Sequence, residues 1–169
     1  MATDPRELYL QGVRNLHAEK TQAIQTFQRQ VERLENYPQL EQRMRQHIQE
    51  SEQARSQLEA ILGTHSSSPS SLKETVTGLV GNLTGAVHAA MSDEVLKNTF
   101  ANYGLEHHEI AATMSLIAMA EAAGDTQHVA QYKQMMAADS AMADFIKDQI
   151  VPTTQRYIQL ESQGAQSKT

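Results

Sequence analysis

The stretch "YGLEHHEIAATMSLIAMAEAAG", Tyr103 to Gly124, opens with four ionisable residues, Glu106, His107, His108 and Glu109. A run of buried-type residues follows at once: Ile110, Ala111, Ala112, Met114, Leu116, Ile117 and Met119. Carboxylates and imidazoles next to an apolar run are the raw material of acid–base or metal chemistry. Three other segments carry matching residues: Glu19, the pair His47 and Glu50, and Asp139. The chain has no cysteine, which excludes disulfides, thiolate ligands and thiol nucleophiles. An oxygen-rich donor set with an imidazole suits iron or manganese better than zinc.

The elements that must position these residues are helical. Asp4 and Pro5 start the first helix, with Glu7 completing a capping box. Val13, Leu16, Ala23, Phe27, Val31 and Leu34 recur at three- and four-residue steps, and the helix is expected to stop near Asn36 because Pro38 follows. Pro38 starts the second helix, with Leu40, Met44, His47, Ala54, Leu58 and Ile61 on one face and Gly63 as its cap. "THSSSPSS", Thr64 to Ser71, is a loop. A short extra helix follows from the capping box Ser71 to Glu74. The third long helix starts at Ser92 or Asp93, with Leu96, Phe100, Tyr103, Ile110, Met114 and Ile117 as its stripe. The fourth starts at Asp125 or Thr126, with Val129, Tyr132, Met136, Ala143, Ile146 and Ile150. Pro152 is expected to kink or end it, with room for one or two further turns over "PTTQRYIQL" before the polar tail. Two tight hairpins joined by a long crossover predict an all-α, ferritin-like four-helix bundle. One domain over residues 1–161 and a polar tail over 162–169 follow.

Each helix places a carboxylate on or beside its stripe, and their heights agree. At 1.5 Å per residue, Glu19, Glu50, Glu109 and Asp139 lie roughly 21–26 Å from the turn of their own hairpin. Glu106 and His47 are one turn from Glu109 and Glu50. Several carboxylates in one dry layer repel, and an unpaired buried charge costs several kcal/mol. Two metal cations would remove that cost. Glu19, His47 and Glu50 would hold one ion, and Glu106, Glu109 and Asp139 the other. His107 is either a donor to one of these carboxylates or a polar contact to the next helix.

"LHAEK", "RQHIQESE", "LEHHEIAA" and "DSAMADFI" resemble the YciF-like stress-response family of ferritin-like proteins, over about Tyr9 to Leu160. The resemblance implies a dinuclear iron or manganese site and a homodimer with a role in stress responses. It carries Glu19, His47, Glu50, Glu106 and Glu109 onto matching positions. Asp139 stands where the family usually has Glu. Thr113 and His17 stand where the family often has Tyr.

The cofactors expected are therefore two iron ions, alternatively manganese. The activity expected is Fe(II) oxidation by O₂ or peroxide, as a ferroxidase or peroxide-reducing oxidoreductase. The alternative is a non-catalytic metal-binding or structural module acting through partners. A net charge of −6 over 169 residues, with no dense basic cluster, argues against nucleic-acid binding. The apolar run Ile110 to Ala120 is too short for a membrane span. The opening "MATDPRELYLQG" has neither a basic nor an apolar leader segment, which predicts a cytoplasmic protein.

Overall fold

Asp4 caps the first helix, its Oδ1 accepting the Arg6 backbone N–H at 3.0 Å, and Pro5 fills the first helical position. The computed structural model describes residues 4–65 and 93–164. Four helices account for nearly all of them: α1 (Pro5–Val31), α2 (Pro38–His65), α3 (Glu94–Ala122) and α4 (Val129–Ser162). A 3-10 turn over Thr126–His128 leads into α4. Gly124, at φ 74°, makes the left-handed step between α3 and α4, which a residue with a Cβ adopts only with strain.

The chain is an all-α four-helix bundle. α1 packs on α2 and α3, and α4 packs on α3 and α2. The two hairpins thus lie side by side with α1 diagonal to α4. Gly12 lets α1 approach α3 closely, since a Cβ there would sit 3.0 Å from Leu116 and Met119 side-chain atoms. No helix among the described residues is long and apolar enough to cross a membrane. The expected crossover helix from Ser71 lies outside the described residues.

The core is divided in two. One apolar cluster contains Ala23, Phe27, Met44, Val95, Met142 and Ile146. The other contains Tyr9, Val13, Leu16, Leu58, Leu116 and Tyr132. Between them, at mid-height, each helix turns polar residues inward. Lys20, His47, Ser51, Glu106, Glu109, Thr113 and Asp139 are all buried there.

Several helix details differ from expectation. α1 ends at Val31, before Asn36, and α2 runs past Gly63 to His65. α4 continues through Pro152 to Ser162. Burial of Thr153 and Leu160 beyond the proline holds the helix together at the cost of one backbone hydrogen bond. α3 is rotated from the predicted face: its buried stripe is Val95, Thr99, Asn102, Glu106, Glu109, Thr113, Leu116 and Ala120. Phe100 and Met114, expected in the core, are 51% and 60% exposed.

Candidate metal centre

Glu106 and Glu109 sit one turn apart on the inward face of α3, and neither has any exposed surface. Asp139 faces them from α4 and His47 from α2, both buried. One donor atom from each of the four lies within 4.8 Å of the others. His47 Nε2 is 3.1 Å from Glu106 Oε1, without the alignment of a hydrogen bond. Glu106 Oε1 and Oε2, Glu109 Oε1, Asp139 Oδ2 and His47 Nε2 all lack a hydrogen-bond partner among the described residues. Buried polar atoms are nearly always paired, so five convergent exceptions mark the place where a cation fits.

α1 contributes a lysine to this layer where a carboxylate was expected. Lys20 has no exposed surface. Its ammonium donates to Asp139 Oδ1 at 2.6 Å and to Glu109 Oε2 at 3.2 Å. Burial by itself would lower the Lys20 pKa, but Glu109, Asp139 and Glu106 together hold it above its ordinary value. The lysine is therefore a permanent cation of the site.

Glu19, the neighbour of Lys20, is buried but points away from the cluster. Its Oε1 meets His108 Nε2 at 3.5 Å. Residues adjacent on a helix are about 100° apart, so α1 cannot aim both at the same point. Glu50 is also outside the four-residue group. Its side chain is 28% exposed, and it takes hydrogen bonds from Arg43 at 3.2 Å and Gln46 at 2.8 Å. Burial raises the Glu50 pKa, but His47, Gln46 and Arg43 outweigh it and hold the carboxyl below its ordinary value.

An ionised Glu50 can only accept, so the 3.1 Å contact between His47 Nδ1 and Glu50 Oε2 is an N–H donated by His47. This leaves the Nε2 lone pair aimed at the cluster, and the Phe27 ring packs against the imidazole in a T-shaped contact at 5.6 Å between centroids. Carboxylate-oriented imidazoles are the usual second layer of a metal site. Glu50 thus orients the imidazole of a candidate ligand. We expect Glu50→Gln to weaken metal affinity by about 10–100-fold without abolishing it, as measured by competition with a chelating dye. An unchanged affinity would remove Glu50 from the site altogether.

Of the six expected ligands, four are brought together: His47, Glu106, Glu109 and Asp139. Glu19 and Glu50 are not, and the expected partition into two triads is not what the helices make. His107 is exposed and packs edge-on against Tyr103 at 4.5 Å between centroids; it makes no contact with a site carboxylate. Lys20 was missed because lysine is ordinarily solvated. The signal was present in its spacing, seven residues after Val13 and seven before Phe27, which are both fully buried.

A second His/Asp group lies at one end of the bundle. Asp125 Oδ2 accepts from His65 at 3.1 Å, and its Oδ1 accepts from His128 at 2.9 Å. Arg6 donates to the remaining His65 nitrogen at 3.0 Å. The group is already internally paired and clasps the end of α2 to the α3–α4 turn. Burial raises the Asp125 pKa, yet His128, Tyr9 and His65 hold it below its ordinary value. A depressed carboxyl stabilises above its unfolded pKa, and that contribution is lost as pH falls through the folded value. Asp125→Asn should therefore cost about 1–2 kcal/mol at pH 7, with the gap to wild type closing in acid, as pH falls below the ordinary carboxylate range. Thermal unfolding across that range checks it.

A protein of Xanthomonas campestris pv. campestris of known crystal structure has the same fold. It is 22% identical, covers 95% of this chain and 99% of its own, and superposes with a TM-score of 0.76. A family model described as a domain of unknown function, DUF892, matches residues 4–159, and the chain belongs to that family.

Proposed function

We propose that the buried layer binds redox-active divalent metal, iron or manganese, through His47, Glu106, Glu109 and Asp139. The observation that carries this reading is the convergence of five unpartnered donor atoms from three helices in a dry layer. Three carboxylates and one imidazole suit these metals. When bound, the metal would supply one-electron chemistry toward O₂ or peroxide, the activity of a ferroxidase or peroxide-reducing protein of the stress-response type. The chain's own part is to hold the donors in place, with Glu50 fixing the His47 tautomer and Lys20 holding one oxygen each of Glu109 and Asp139. The apolar clusters on either side keep water from the layer. A homodimer belongs to the same reading, and the exposed Phe100 and Met114 on the outer face of α3 are the apolar surface that supports it.

A second reading, metal binding without turnover, is favoured by the burial of all four ligands, none more than 1% exposed. The two separate in an anaerobic Fe(II) load followed by air. Oxidation of the loaded protein well above the rate in buffer supports the oxidoreductase. A rate equal to that of buffer, with the metal still bound, supports the second reading. Failure to retain Fe(II) under nitrogen contradicts both.

A further inference from the structure

We propose that Lys20 is a built-in second cation, whose ammonium holds the far side of Glu109 and Asp139 so that the layer takes one divalent ion and not two. This rests on the metal-binding reading above and concerns how many ions that site accepts.

The geometry is specific. Glu109 and Asp139 each give one oxygen to Lys20, Oε2 at 3.2 Å and Oδ1 at 2.6 Å. The other oxygen of each, Oε1 and Oδ2, has no partner among the described residues. Both carboxylates thus have one oxygen on the ammonium and one free for a metal. That is the disposition of a carboxylate bridging two cations, with the lysine as one of them. Lys20 comes from α1, the helix that should have supplied a carboxylate to a second ion. The α1 carboxylate that does exist, Glu19, is turned towards His108.

Charge gives the same count. With the carboxyls ionised, Glu106, Glu109 and Asp139 carry three negative charges in a layer with almost no solvent contact. One ammonium and one divalent ion balance them. A second divalent ion would leave two uncompensated positive charges in the dry core, which is strongly unfavourable. Glu50 does not alter this balance, because it is paired with Arg43 and partly solvated. The donors are also too few. Removing the two oxygens held by Lys20 leaves five free atoms on four side chains, enough for one ion with water completing its sphere, not for two.

The test is equilibrium binding of Mn(II) to the full chain stripped of metal, read by metal content and by electron paramagnetic resonance. The wild type should take up one Mn(II) per chain, with the spectrum of an isolated ion. Lys20→Glu, which returns a carboxylate to α1 and removes the ammonium, should take up two, with the broadened signal of a coupled pair. Two ions on the wild type would overturn the inference and leave metal binding standing. One ion on both proteins would also overturn it, because something other than Lys20 would then limit the count. No tight binding to a folded wild type would overturn both this inference and the reading beneath it. Should Lys20→Glu not fold, the wild-type count decides alone, and Lys20→Arg, which keeps the charge, must retain a single ion.

Discussion

Metal-free Lys20→Met protein should unfold far below the metal-free wild type. The substitution keeps much of the apolar stem but removes the one cation among the described residues that touches Glu109 and Asp139. Breaking a buried ion pair by deleting one partner costs about 3–5 kcal/mol, because the remaining charge has no compensation. In a chain of this size that corresponds to a fall of roughly 6–20 °C in Tm. The loss should be greatest at high pH, where Glu109, whose carboxyl burial pushes up, can no longer escape its orphaned charge by taking up a proton. Saturating Mn(II) should recover a large part of it, since a metal can take the oxygens that the lysine gave up. Differential scanning calorimetry at pH 6 and pH 8.5, with and without Mn(II), reads all three effects. A shift of only one or two degrees would show that Lys20 carries little of the layer's charge balance.

The second large effect is a reversal of pH dependence on metal binding. Burial, only partly offset by Lys20 and reinforced by Asp139 and Glu106, pushes Glu109 up to about 8. A carboxyl with a raised folded pKa stabilises fully below its unfolded value and loses that contribution as pH rises through the folded one. His47 acts in the same direction. Burial lowers its pKa, but Glu106 and Glu50 raise it beyond its ordinary value, so its contribution also fades as pH rises. Glu50 and Asp125 have depressed carboxyls, whose stabilisation is lost only in acid. The metal-free protein should thus be most stable near pH 5–6 and lose on the order of 2 kcal/mol, about 4–8 °C in Tm, by pH 9. The metal-bound protein should do the opposite. Protons compete with metal for Glu109 and His47, so affinity rises with pH. At a free metal concentration of 100 times Kd the gain is about 2.7 kcal/mol. Chelation should therefore lower Tm little at pH 5.5 and strongly at pH 8.5. Parallel pH profiles with and without chelator would mean that the ionisable layer does not meet a metal.

How much of this was legible in the sequence depended on which physical signal each residue carried. The bundle was legible because the hairpin turns are short, so heights could be counted from them. That count put Glu19, Glu50, Glu109 and Asp139 at one level, with Glu106 and His47 one turn away; of these, His47, Glu106, Glu109 and Asp139 converge, and Glu19 and Glu50 do not. The rotational position of each side chain was less accessible. On α3 the apolar pattern runs along the flank of the buried face: Leu96, Tyr103 and Ile117 pack against the core while Phe100 and Met114 are exposed. The buried face itself carries Thr99, Asn102, Glu106, Glu109 and Thr113, so hydropathy periodicity was rotated from it. Glu106 was still found, because it lies three residues after Tyr103 and four before Ile110, and Glu109 follows one turn on. On α1 the opposite happened. Glu19 was chosen for its chemistry, while Lys20, one residue on, holds the position between Leu16 and Ile24 at steps of four. A lysine in the seam of a bundle runs against the strongest prior on that residue type, and only its partners make sense of it. Glu50 was read as a ligand from its i+3 spacing to His47. That spacing instead lets the glutamate reach back to Nδ1 from the wet edge of the helix.

The layer has a consistent logic. Three acids are kept dry, one lysine offsets part of their charge, and an oriented imidazole with five unpartnered donor atoms completes a site for a cation. The most direct test is elemental analysis of the purified wild-type protein beside a Glu106→Gln, Glu109→Gln variant, after equal exposure to Fe(II) and Mn(II) and gel filtration. Retention of iron or manganese by the wild type and its loss from a folded variant is the predicted result. Equal metal content in the two proteins, or none in either, would contradict it.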